Sequence, residues 1–238
     1  MQNDKKIPKH IIVIGGFLVD AKYILIPALN QCNNILIDFI DINTLNIYNN
    51  LNDTIDNLVR KIKMLKNFNE KNNIIIIAYS FGGILAIYCH KIIHYCSKLI
   101  LINTTPQFIE NESWQGIKNI EYKKLIEKFE ILSLENFINY FIRLASYPYE
   151  VDKNLINQIV SMNYNKNILL NLLYLMKNIN ALNVLNKIEI ETIMLYSSYD
   201  ILVPYNYINN EYIKAITINH SSHLNLNNNI LSLIIEHL

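Results

Sequence analysis

Ala78-Tyr79-Ser80-Phe81-Gly82-Gly83 sets a serine between small residues two positions before it and two after it. That is the spacing of a tight strand-to-helix turn that lifts a serine Oγ out of a sheet as a nucleophile. Ala78 stands where such turns usually carry glycine, and one methyl still fits the steric requirement. The N–H of Phe81, in the first turn of the helix that follows, would face the negative charge developing on an attacked carbonyl. A nucleophilic serine needs a base, and the base needs an orienting acid. Asp200 follows the strand-like run ETIMLYSS and precedes Val203-Pro204, so it tops a strand. Two histidines, His220 and His223, follow the run KAITIN and compete as base; loop placement favours His223. Gly15-Gly16-Phe17 follows another apolar run and offers the N–H of Phe17 as a second oxyanion donor. Together these residues imply acyl transfer through a covalent serine intermediate.

A second set of reactive types lies in CHKIIHYC, where His90 and His94 are spaced i, i+4 and share a helix face. Cys89 and Cys96 do not join that face, and no other ligand cluster accompanies them, so no metal site and no cofactor are expected. Cys32, Cys89 and Cys96 are too few for a disulfide framework, which points to a reducing compartment.

These residues need a scaffold, and the composition supplies one. The chain has 238 residues, 51% hydrophobic and 17% charged, with a net charge of +1. That excludes a disordered chain and gives no electrostatic sign of nucleic acid. Isoleucine and asparagine make up about a third of the sequence, and two of the 21 basic residues are arginine, Arg60 and Arg143. Only five glycines occur, where average usage would give about seventeen, so their pairing as Gly15-Gly16 and Gly82-Gly83 is informative. Both pairs follow buried strands, at the sheet end where open parallel sheets bind ligands, and are expected to supply positive φ and close backbone approach.

Short β-branched runs at His10–Gly16, Ile35–Asp41, Asn73–Ser80 and Lys98–Thr105 alternate with helical spacing near 20–31, 53–66 and 81–95. The expected fold class is α/β, a mostly parallel sheet flanked by helices. From Pro106 to about Asn186 strands give way to helices near 119–131, 134–146, 153–162 and 167–178, with Ser133 and Asp152 as N-caps. This reads as an all-helical lid at 107–187 inserted into a core formed by 1–106 and 188–238. Strands resume at Glu191–Ser198 and Lys214–Asn219, and a last helix starts near Asn228. No run reaches the length of a membrane span. Lys5, Lys6 and Lys9 before Ile11–Val19 imitate a signal peptide, but Gly15-Gly16 and Asp20 interrupt it, so a buried first strand is expected.

With these parts in place the chain resembles the α/β-hydrolase superfamily, and within it the carboxylesterases that demethylate pimeloyl-acyl-carrier-protein methyl ester in biotin synthesis. The likeness rests on Ile14-Gly15-Gly16-Phe17-Leu18, on Ala78 to Gly83, on Ser113-Trp114-Gln115-Gly116-Ile117, on Leu195 to Pro204 and on Ser222-His223. The alignment selects His223 over His220. The resemblance implies Ser80 as nucleophile, His223 as base and Asp200 as its orienting acid. It implies the N–H groups of Phe17 and Phe81 as oxyanion hole, and substrate contacts from Phe17, Tyr79, Trp114, Phe141 and Arg143. It further implies an enzyme acting on acyl carrier protein; a cytoplasmic location is expected, and a monomer is favoured with the oligomeric state open. Basic residues of the lid, Lys153, Lys166, Lys177, Lys187 and Arg143, are expected to dock that acidic partner. The chain departs from the family at Gly15, where histidine is usual, and at Asp41-Ile42-Asn43-Thr44, where a P-G-x-G-x-S loop is usual. A general short-chain esterase or thioesterase, and a non-catalytic binding protein of the same fold, are the alternatives.

Overall fold

Six apolar runs become six strands, and every pairing among them is parallel. The computed structural model describes residues 10–30, 35–45, 47, 50–69, 73–93 and 95–238. The strands are β1 (His10–Ile14), β2 (Leu36–Ile40), β3 (Ile74–Tyr79), β4 (Cys96–Ile102), β5 (Glu191–Ser197) and β6 (Ile213–Ile218), in the order β2-β1-β3-β4-β5-β6. Residues of β1 and β3 are buried throughout, because helices cover both faces of a parallel sheet. The edge strands β2 and β6 are partly exposed and carry Asp38 and Lys214. Lys5, Lys6 and Lys9 lie outside the described residues, while Ile11–Ile14 form part of β1 as expected.

The crossovers are α1 (Lys22–Leu29), α2 (Leu51–Lys63) and α3 (Phe81–Cys89), and α9 (Asn228–Glu236) closes the chain. Helix α1 packs on α9 and α2 on α3, the two layers that right-handed crossovers produce. Helix α2 earns its place through Ile55, Leu58, Val59 and Ile62, which bury one face, and through Asn50, whose side chain accepts the N–H of Asn52. Helix α3 is shorter than the apolar run suggests and stops at Cys89.

Between β4 and β5 run α4 (Asn119–Ile131), α5 (Leu134–Ser146), α6 (Lys153–Val160), α7 (Lys166–Asn178) and the short α8 (Leu182–Leu185). Ser133 and Asp152 cap α5 and α6 through their side-chain oxygens, and Asn165 does the same for α7. Phe129 of α4 meets Phe137 of α5 edge to face at 4.8 Å. Phe137 and Phe141 in turn pack on Phe17 at 6.4 and 5.2 Å. The inserted helices thus rest on the loop that follows β1.

The chain changes direction across the sheet at β1. Strand β2 lies on one side of it and β3 on the other. The loops after β1 and β3 meet at the carboxyl end of the sheet, at the switch point where open α/β sheets place their ligands. Phe17 and Ser80 belong to those two loops.

Candidate active site

Ser80 is the single residue between β3 and α3, and its backbone is left-handed, with φ 53° and ψ −125°. Such a conformation is costly for a side-chain-bearing residue and persists only where its surroundings hold it. Here Ser80 N–H donates to Ile102 O at 2.9 Å, while Ser80 O accepts from Gly83 N–H at 3.0 Å and from Thr104 Oγ at 2.9 Å. The two glycines after the serine serve close approach. A Cβ on Gly82 would collide with the Gly15 carbonyl oxygen, and one on Gly83 with the Thr104 side chain. No described glycine has a positive φ. The left-handed residues are Leu18, Ser80, Asn103 and His220, so the expected use of glycine for positive φ is corrected.

The hydroxyl of Ser80 reaches His223 Nε2 at 2.8 Å, and His223 Nδ1 reaches Asp200 Oδ2 at 2.7 Å. Asp200 can only accept as a carboxylate, so Nδ1 carries the proton and Nε2 is left to accept from the serine. The other oxygen of Asp200 accepts the N–H groups of Leu202 and Val203, each at 2.9 Å. All three side chains are buried. His220 is exposed, and its carbonyl accepts from Asn227, so the rival histidine lies outside this relay.

His223 is held by its own backbone. Its carbonyl accepts from Tyr79 Oη at 2.6 Å and from Asn103 Nδ2 at 3.0 Å. Asn103 also donates to Ser222 O and accepts the N–H of Ser197, which ties the ends of β4 and β5 to the histidine loop. Ser222 Oγ donates to Ser146 O, and Leu224 N–H to Ala145 O, which fastens the same loop to α5.

The N–H groups of Phe17 and Phe81 have no protein acceptor among the described residues. Gly16 abuts Ser80, since a Cβ there would lie 2.9 Å from Ser80 Cβ. The order β2-β1-β3-β4-β5-β6, the left-handed serine after β3, an acid after β5 and a histidine after β6 decide the architecture. The chain has an α/β-hydrolase fold.

Comparison with known proteins agrees. No protein-family model matches the chain. A pimeloyl-[acyl-carrier protein] methyl ester esterase of Wigglesworthia glossinidia brevipalpis is 28% identical over an alignment of 146 residues. That alignment covers 55% of this chain and 52% of the relative, so the chain spans about half the length of that curated relative. The esterase EaEST of Exiguobacterium antarcticum superposes with a TM-score of 0.76 at 14% identity, over 97% of this chain and 92% of its own. A bromoperoxidase of Bacillus anthracis gives 0.77 at 13%, over 97% and 90%. The S. aureus protein MenH gives 0.66 at 18%, over 98% and 94%.

Within this α/β-hydrolase fold some expected contacts fall elsewhere. Tyr79 has no exposed surface to offer a substrate and instead supports His223. Trp114 Nε1 donates to Thr105 Oγ at 2.8 Å, and the indole lines a cleft of about 690 Å³ with Glu110, Asn206 and Tyr207. Neither Ser80 nor His223 borders that cleft. Phe141 packs on Phe17 beside the oxyanion loop. Arg143 is exposed and, with Lys153 and Glu150, lines a separate depression of about 310 Å³. Lys187 precedes β5 and shares a cleft with His90 and Lys91, at the sheet end opposite Ser80, so it leaves the expected basic surface.

Of the residues in CHKIIHYC, Cys89 ends α3, His90 caps it and Cys96 opens β4. His90 Nδ1 donates to Ile87 O, and burial pushes its pKa down. Burial pushes the Cys89 thiol well up and the Cys96 thiol to about 12. No group of three potential ligands exists among the described residues; His94 and Cys32 lie outside them.

Sequence reasoning passed over Asn43, Asn103, Thr104 and Tyr164. Asn103 directly follows β4, and Asn43 lies in the short turn after β2, three residues past Ile40, so a polar residue just beyond a strand end was the available signal.

Proposed function

We propose that the chain is a serine carboxylester hydrolase. The observation that carries this reading is the relay from Ser80 Oγ through His223 to Asp200 at 2.8 and 2.7 Å, anchored on a left-handed serine. His223 Nε2 takes the Ser80 proton as Oγ attacks the ester carbonyl. The resulting oxyanion is met by the N–H groups of Phe17 and Phe81, and α3 adds its positive end. Collapse expels the alcohol, which leaves with the proton from His223, and the acyl group stays on Ser80. Water then attacks the acyl-serine, His223 again takes a proton, and the free acid departs as the proton returns to Ser80 Oγ. Asp200 stays ionised and keeps His223 in the needed tautomer. The residues do this with no metal or organic cofactor.

The substrate we propose is the methyl ester of a pimeloyl chain carried on acyl carrier protein, with the product feeding biotin precursor synthesis. Support comes from the Wigglesworthia relative, which bears that name, and from Arg143 and Lys153 together in one exposed depression between α5 and α6. We place the enzyme in the cytoplasm. No helix among the described residues is long and apolar enough to cross a membrane, and Cys89 and Cys96 are free thiols.

The test is hydrolysis of carrier-bound methyl pimelate against free dimethyl pimelate, with complementation of a biotin-requiring strain that lacks its own pimeloyl-ester esterase. The proposal requires a carrier-dependent rise in kcat/KM that shrinks at high salt and falls selectively in Arg143→Glu. Equal rates on both esters, without complementation, would leave a general carboxylesterase.

A further inference from the structure

The peptide between Gly16 and Phe17 is planar, so its carbonyl and its N–H point in opposite directions and turn together. Whatever holds Gly16 O therefore aims Phe17 N–H. Gly16 O accepts from Asn43 Nδ2 at 3.0 Å and, more weakly, from Val19 N–H at 3.2 Å, and Asn43 Oδ1 accepts Leu18 N–H at 2.8 Å. One buried side chain thus grips the carbonyl before Phe17 and the N–H after it.

The orientation of Asn43 is itself determined. Its Nδ2 also donates to Asp41 Oδ1 at 2.6 Å, and its backbone N–H donates to the same oxygen at 2.9 Å. A flipped amide would set oxygen against Gly16 O and Asp41, and nitrogen against Leu18 N–H. From the opposite side Tyr164 Oη donates to Leu18 O at 2.7 Å. Leu18 is left-handed, with φ 59°. The strained residue after Phe17 is therefore fixed at its N–H by the loop after β2, and at its carbonyl by the inserted helices.

We propose that Asn43 is a positioning residue for the oxyanion hole, holding the Gly16–Phe17 peptide so that Phe17 N–H meets the charge that develops on the substrate carbonyl. The inference rests on the serine-esterase reading above. A group that aims an oxyanion donor acts on the transition state and leaves ground-state binding nearly untouched.

The experiment measures p-nitrophenyl butyrate hydrolysis by the wild type, Asn43→Ala and Asn43→Asp. It also measures inhibition by an alkyl trifluoromethyl ketone, which adds to a nucleophilic serine and places a charged oxygen in the hole. Asn43→Asp is nearly isosteric, keeps an oxygen for Leu18 N–H and removes the side-chain donor to Gly16 O, leaving Val19 N–H as its remaining donor; because its second oxygen would face Asp41, the neutral Asn43→Ser decides the matter if neither Asn43→Ala nor Asn43→Asp folds. Both variants should lose about 10- to 100-fold in kcat, with KM within about threefold, and the ketone Ki should rise by the same factor. A folded variant with unchanged kcat, or with a loss the ketone does not mirror, overturns the role of Asn43 and leaves the esterase reading standing. A wild type that neither hydrolyses the ester nor binds the ketone overturns both.

Discussion

The phenol of Tyr79 donates to the backbone carbonyl of His223 at 2.6 Å, so the residue before Ser80 carries the backbone of the histidine that Ser80 faces. Burial pushes the Tyr79 pKa well above its usual value, which keeps the group a neutral donor at any working pH. The same carbonyl accepts from Asn103, so the histidine loop hangs from the ends of β3 and β4 at once.

Removing one of those two donors should cost less than removing the one that also serves other groups. Tyr79→Phe leaves Asn103 on the carbonyl and should lower stability by about 1 kcal/mol and kcat by several-fold. Asn103→Ala strips partners from Ser222 O and Ser197 N–H as well. It should cost about 2–3 kcal/mol, since buried backbone groups are left unpaired. Thermal unfolding with steady-state kinetics measures both; an Asn103→Ala protein more stable than Tyr79→Phe would contradict this assignment.

The strands were legible because an all-parallel sheet buries its strands on both faces: β3 is an unbroken apolar run, and β1, β4 and β5 carry apolar stretches at Ile11–Ile14, Leu99–Ile102 and Ile193–Tyr196. Ser80 was legible because glycine is scarce here, and paired glycines mark close packing. The supports were not. Asparagine is so common in this chain that Asn43 and Asn103 look like any loop residue, and only strand register shows that each faces a carbonyl of another loop. The resemblance places Tyr79 and Trp114 at the substrate, and nothing in their spacing argues otherwise. In the fold both polar tips turn inward, to His223 O and to Thr105 Oγ. Helix α8 is a single turn, too short for periodicity to register.

The two histidines after β6 should separate cleanly. His223→Ala should lose about 10⁴-fold or more in kcat, whereas His220→Ala should stay within about threefold of wild type. Initial rates on p-nitrophenyl butyrate decide it, and the reverse pattern would overturn the assignment of the base.

Gly15 stands where the resembled esterases carry histidine, and this chain should not accept that residue. A Cβ on Gly15 would lie 2.6 Å from Val19 O and 3.1 Å from Ala21 N, both backbone atoms. Gly15→His should lower stability by roughly 1–3 kcal/mol or more through overpacking. Denaturant titration measures it, and an unchanged midpoint would show that the loop yields.

The raised thiol pKa values fix the sign of a labelling experiment. A thiol shifted upward stays protonated at pH 8, and Cys89 and Cys96 are also buried. Iodoacetamide at pH 8 should leave both unmodified in the folded protein and alkylate both in guanidinium, as mapped by mass spectrometry. Rapid modification of either in the folded state would mean that α3 or the start of β4 opens.

The central claim is that Ser80 is the nucleophile of an ester hydrolase, and titration with a fluorophosphonate tests it most directly. The account predicts one adduct per chain on the peptide containing Ser80, loss of p-nitrophenyl butyrate hydrolysis in proportion to labelling, and no adduct in Ser80→Ala. Hydrolysis that survives complete labelling of Ser80, or an adduct that forms elsewhere while Ser80 stays free, would contradict it.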